Sequence, residues 1–108
     1  MVDEHNQITV IVKDFADALR KRKIDFDYMV LFGSHADGQA NDDSDIDVAV
    51  VSQEFGKEPL KEAQNLYKIM IEDKLDLRIE PRTFSSAEIA DGKNYFAKEI
   101  LAKGIVIK

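Results

Sequence analysis

Apolar residues at Ile8, Ile11 or Val12, Phe15 and Leu19 recur at the spacing of one helix face, so residues 6 to 23 are expected to form an amphipathic helix. The aromatic-rich apolar run from Phe26 to Phe32 reads as a buried strand that stops at Gly33. Residues 33 to 44 are rich in Gly, Asp, Asn and Ser and must be a loop or a broken helical turn. A second strand is expected from Asp45 to Val51. The segment from Pro59 to Asp73 is helical: Pro59 suits a first turn, and Leu60, Ala63, Leu66, Tyr67 and Met70 form an apolar stripe. Leu75 to Glu80 alternates apolar and charged residues, which predicts a third strand closed by Pro81. Ser85-Ser86-Ala87-Glu88 has the form of a capping box opening a short helix. Residues 94 to 103 continue helically to Gly104, and Ile105-Val106-Ile107 can add a short edge strand. The expected architecture is α/β: a small mixed sheet of three or four strands with helices packed mainly on one side.

At 108 residues the chain fits one domain, residues 1 to 108, without a repeat or linker. Hydrophobic residues make up 44% and charged residues 33%, enough for a core and against disorder. There is no cysteine, which excludes disulfides, zinc–thiolate sites and a thiol nucleophile. No run reaches the roughly 18 apolar residues of a membrane span. The polar start MVDEHNQ lacks the build of a signal peptide, so a cytoplasmic protein is expected. The net charge of −6 disfavours nucleic acid as the main partner. The one basic run, Arg20 to Lys23, falls at a helix end, where cations complement the dipole.

The chemistry concentrates at Asp45-Ile46-Asp47. Alternate residues of a strand share a face, about 6.5–7 Å apart, so Asp45 and Asp47 point one way while Ile46, Val48 and Val50 pack on the other. Like charges that close repel unless something positive lies between them. Hard oxygen donors without His or Cys favour Mg²⁺, with phosphate oxygens completing its shell. A calcium loop does not fit, because Val48 stands where the sharp-turn glycine belongs. Gly33-Ser34, directly after the first strand, offers a tight turn, a hydroxyl and free N–H groups: a seat for phosphate. Ten residues separate Ser34 from Asp45, which lets adjacent strands present the seat and the acids at one edge. Neither standard glycine-rich phosphate motif is present. A third acid would come from the strand beginning at Leu75, where Asp76 and Glu80 share a face.

Gly33-Ser34, ten residues, then Asp45-Ile46-Asp47 resembles the signature of the DNA polymerase beta-like nucleotidyltransferase superfamily. The stretch LFGSHADGQANDDSDIDVAVV is similar to its minimal nucleotidyltransferase branch, Asp76 matches the place of that branch's third acid, and FAKEILAKGIVI is similar to its C-terminal helix and tail. The resemblance implies the nucleotidyltransferase fold, with NTP (ATP foremost) and Mg²⁺ as ligands. It also implies Gly33 and Ser34 at the nucleotide, and Asp45, Asp47 and Asp76 as catalytic and metal-binding acids. Many members of the branch stand beside a HEPN-domain toxin and act as its antitoxin, some by transferring AMP to a tyrosine. One position departs: a basic residue common before the second glycine of the loop is Asp37 here, and Asp42 and Asp43 make the loop acidic. Basic help could then come from Arg78, Arg82 or the partner. His35, in the same loop, is expected to be solvated, the alternative being a contact to nucleotide.

Three functions are compatible with the sequence. The first is a nucleotidyltransferase that adenylylates a HEPN partner. The second is a catalytically idle antitoxin that binds the same partner. The third is an enzyme modifying a small molecule such as an antibiotic, although such enzymes usually carry a second, helical domain for the acceptor. The acceptor, the base preference and the oligomeric state, homo-oligomer included, are not legible in the residues.

Overall fold

The computed structural model describes residues 4–41 and 43–107. Asp42 of the acidic loop and the first three residues of the polar N-terminus lie outside them. The elements run α1 (Glu4–Lys21), β1 (Tyr28–Phe32), α2 (Ser34–Asp37), β2 (Ile46–Val51), α3 (Pro59–Glu72), β3 (Ile79–Phe84), α4 (Ser86–Asp91), α5 (Tyr95–Lys103) and β4 (Ile105–Ile107).

The strands form one sheet in the order β3-β2-β1-β4. β1 pairs antiparallel with β2 and with β4, whereas β2 and β3 run parallel, with α3 as the crossover between them. The sheet is therefore mixed, as expected. The two central strands are buried on both faces, which explains their near-continuous apolar sequence. On one face Leu31, Val48 and Val50 pack against Val12, Phe15 and Leu19 of α1 and Leu66 and Met70 of α3. On the other, Val30, Ala49 and Val51 meet Ala97 and Ile100 of α5, with Ile89 of α4 beside them. The two long helices thus cover one face, and a smaller helical layer covers the other. Asp45 and Asp47 share strand parity with Ala49 and Val51, so Asp47 opens onto the α5 side.

The basic run ends in ion pairs rather than a patch. Arg22 reaches Asp73 at 2.7 Å and Glu72 at 3.4 Å, tying the end of α1 to the end of α3. Arg20 pairs with Asp17 and lies over the Phe26 ring. The capping box is present: Ser85 accepts from the Glu88 N–H while the Glu88 carboxylate accepts from the Ser85 N–H.

The third strand lies four residues later than its alternation suggested. Leu75 and Asp76 are outside any strand and Leu77 is exposed, so the alternating pattern there buries little. Asp76 instead accepts from the Arg78 N–H at 2.9 Å, a local turn that competes with extended pairing. Pro81 falls inside β3 rather than closing it. The N–H groups of Ile46 and Ser52 bond to the carbonyls of Arg78 and Phe84, so the even-numbered residues turn their backbone toward β2 and Pro81 turns its own away. An edge strand tolerates proline at such a position.

Candidate active site

β1 delivers its last residue, Phe32, opposite Asp47 in the antiparallel ladder. The chain must turn at once, and Gly33 does so with φ 74° and ψ −154°, a region effectively reserved for glycine. A Cβ on Gly33 would also overlap the Asp47 carboxylate, which packs directly on the glycine. Gly33 is thus required both for its dihedral angles and for its lack of bulk. Ser34 opens α2, whose first N–H groups have no acceptor within the helix.

His35 is not solvated. It is buried, and its Nε2 lies 3.2 Å from the Ser44 carbonyl. It thereby pins α2 to the segment that enters β2. That segment is folded on itself: Asn41 Oδ1 accepts from the Asp43 N–H and Ser44 Oγ accepts from the Asn41 N–H. Asp45 follows, exposed, one residue before β2 begins.

Across the parallel ladder, Asp47 stands opposite Glu80 and Ala49 opposite Arg82. Asp47, Glu80 and Arg82 therefore share one face of the sheet. The Asp47 carboxyl is held above the usual carboxylate range, first by desolvation and then by the charges of Glu80 and Asp45, with Arg82 opposing the rise. Glu80 lies within hydrogen-bonding reach of it. Asp76, expected as the third acid, is not on this strand. Its carboxylate is engaged by Arg78, with Nη2 at 2.8 Å and Nε at 3.1 Å, and that pairing holds its pKa below the usual range despite partial burial. The structure thus brings Gly33, Ser34, Asp45, Asp47 and Glu80 to one edge and leaves Asp76 in the turn before it.

Two concavities flank these acids. A groove of about 410 Å³ runs along β3 between α3 and α5, lined by Leu60, Tyr67, Glu80, Arg82 and Phe96 among others. A second, of about 240 Å³, lies between α2 and α5 and includes Phe32, Gly33, Asp37 and Lys103, with Phe96 shared by both. Burial, and after it the charges of Glu80, Asp45 and Asp47, raise the pKa of the Tyr67 phenol in the groove. Tyr67 and Phe96 read in the sequence only as helix positions. Their convergence on the site needs the register of β3, which no local pattern carries.

The donor set suits a hard divalent cation: carboxylate oxygens, like charges in contact, and one of them disfavoured as an anion. Among the described residues no three acids or histidines converge closely enough to enclose an ion by themselves. Such a cation would also draw on phosphate oxygens, as Mg²⁺ sites commonly do.

The described residues contain no helix long and apolar enough to cross a membrane. In comparison with known proteins, residues 13–108 match the family described as polymerase beta, nucleotidyltransferase. A protein of Methanocaldococcus jannaschii described as a "putative protein adenylyltransferase" is 33% identical over 96 residues, spanning 82% of this chain and 95% of its own. A crystal structure of a "putative nucleotidyltransferase" from Sulfolobus solfataricus superposes with a TM-score of 0.66 at 14% identity, over 94% of this chain and 80% of that one, and shows the same fold. With nearly the whole chain inside the family model and a third of the aligned residues shared with an archaeal relative, the protein belongs to the polymerase beta nucleotidyltransferase family.

Proposed function

We propose that the protein is a Mg²⁺-dependent adenylyltransferase that moves AMP from ATP to a tyrosine hydroxyl on a HEPN-domain partner protein. The observation that carries this reading is the register that sets Glu80 opposite Asp47, one residue pair from the Gly33-Ser34 turn. The acids then stand between a phosphate seat and an open groove, the order an in-line displacement needs. The likeness to an archaeal protein described as a protein adenylyltransferase supports a protein acceptor, and the net charge of −6 speaks against nucleic acid.

In this reading Gly33 and Ser34 hold the outer phosphates, and Asp45 and Asp47 hold the metal. Bound there, Mg²⁺ would neutralise phosphate charge and favour attack at the α-phosphorus. Glu80, which lines the groove, faces the acceptor in place of Asp76. The acceptor oxygen forms a bond to the α-phosphorus as the bond to the β-phosphate oxygen breaks. Pyrophosphate leaves, and Glu80 takes the hydroxyl proton.

The test is intact-mass spectrometry of the HEPN-domain protein co-expressed with this chain. One added AMP per modified tyrosine is expected, and none with Asp47→Asn. A neutralised but unmodified partner would favour the idle antitoxin, and the absence of any complex would return the search to small acceptors.

A further inference from the structure

The geometry points to Arg82 as the side chain that contacts the transferring phosphate group, with Phe96 as the platform that positions it. This rests on the nucleotidyltransferase reading above and adds a residue to it. A phosphate brought against Asp45, Asp47 and Glu80 meets three carboxylates, and the loop after Ser34 supplies Asp37 where a cation would help. Charge must come from elsewhere on the face.

Three cations are near. Arg78 is engaged by Asp76, with Nη2 at 2.8 Å. Lys103 is paired with Glu99 at 3.0 Å. Arg82 makes no ion pair among the described residues. It stands one pleat beyond Glu80 on the same strand face, opposite Ala49. It lines the groove with Glu80, and its charge is felt at Asp47. What keeps it from collapsing onto the acids is Phe96: the guanidinium lies 5.2 Å from the ring centroid. The ring is itself braced, edge-on to Phe32 at 6.1 Å and tilted against Phe84 at 6.3 Å. A planar guanidinium held beside the acids matches two phosphate oxygens at once, which a lysine does not. Fixing it in advance lowers the reorganisation needed when charge develops on the phosphate.

The experiment compares wild type, Arg82→Ala, Arg82→Lys and Phe96→Leu by two readouts: calorimetric binding of Mg·ATP, and the rate of pyrophosphate release from it with the HEPN-domain protein present as acceptor. Arg82→Ala should slow release by about 10²–10³-fold. Arg82→Lys should recover part of the loss, and Phe96→Leu should fall between. Added guanidinium ion should restore part of the Arg82→Ala rate and none of the Asp47→Asn rate, which separates a missing charge from a damaged fold. Wild-type release by Arg82→Ala, with Asp47→Asn inactive, would overturn the inference and leave the enzymatic reading standing. Loss in Arg82→Ala with a lowered unfolding midpoint and no guanidinium rescue would also overturn it. Should the wild type bind Mg·ATP but release no pyrophosphate, equal binding by Arg82→Ala decides against Arg82. A wild type that does not bind Mg·ATP removes both readings.

Discussion

Asp47 and Glu80 stand directly opposite each other on neighbouring parallel strands, two carboxyl groups on one face of the sheet. The next pair along, Val48 and Pro81, is buried on the opposite face without any charge.

If Glu80 is the third acid, Glu80→Gln should slow nucleotide transfer by about 10²-fold or more, with ATP binding little changed. Asp76→Asn should keep nearly all activity. Single-turnover transfer rates for the two variants decide the matter. An inactive Asp76→Asn beside an active Glu80→Gln would reverse the assignment.

Asp47 and Asp76 should have opposite effects on stability. The Asp47 pKa is raised on folding, by desolvation first and then by Glu80 and Asp45. Folding therefore favours its protonated form, and its contribution falls as pH rises from the ordinary carboxylate value through the raised one. Asp47→Asn should be more stable than wild type at neutral pH, without metal, and the gain should vanish in acid. The Asp76 pKa is lowered, first by its hydrogen bonds from the Arg78 side chain, so its contribution is present above the ordinary value and is lost as pH falls through the lowered one. Asp76→Asn should be less stable at neutral pH, with the deficit closing in acid. Urea titrations in a chelator at several pH values test both signs.

The third prediction concerns Gly33. Alanine there must adopt φ 74°, ψ −154° and displace the Asp47 carboxylate. A loss of about 1–3 kcal/mol is expected from the backbone alone. Activity should fall further than stability if the displaced carboxylate holds the metal as proposed. Thermal unfolding measured alongside the transfer rate would show this, and Gly38→Ala serves as a control: it too has positive φ, 80°, but a Cβ there meets nothing within 4 Å.

For His35, replacement by alanine should uncouple α2 from Ser44 at a cost of about 1–3 kcal/mol, since the Ser44 carbonyl loses its partner and a cavity opens. If the ring acts only by holding α2 against Ser44, KM for ATP should rise more than kcat falls. Equal loss in both would place His35 in the chemistry itself.

Local pattern sufficed where the structure is local. The face on which Asp47 stands follows from strand parity, and Gly33 from the abrupt end of an apolar run. Capping at Ser85 is likewise written in four residues. The third strand was displaced because Leu75-Asp76-Leu77-Arg78 alternates as a strand does, while the Asp76–Arg78 turn holds it outside the sheet. Only the non-local pairing of β2 with β3 decides whether Asp76 or Glu80 meets Asp47. The Arg82–Phe96 contact joins a strand to a helix 14 positions away, and neither residue carries a mark of it. The burial of His35 depends in the same way on a carbonyl nine residues further on.

Pro81 has an effect beyond the molecule itself. Of the three β3 residues whose backbone faces outward, Ile79 spends its N–H on the Asp76 carbonyl at 3.4 Å and Pro81 has none, which leaves Thr83 as the sole donor. That margin is poorly equipped to recruit a strand from another chain. The opposite margin, β4, pairs with no strand but β1 among the described residues, and Val106 upon it is exposed. A protein with one usable margin can be matched only reciprocally, about a two-fold axis, and the matched pair has nothing left to extend. Pairing through the sheet would end at a closed dimer and could not propagate into a fibre.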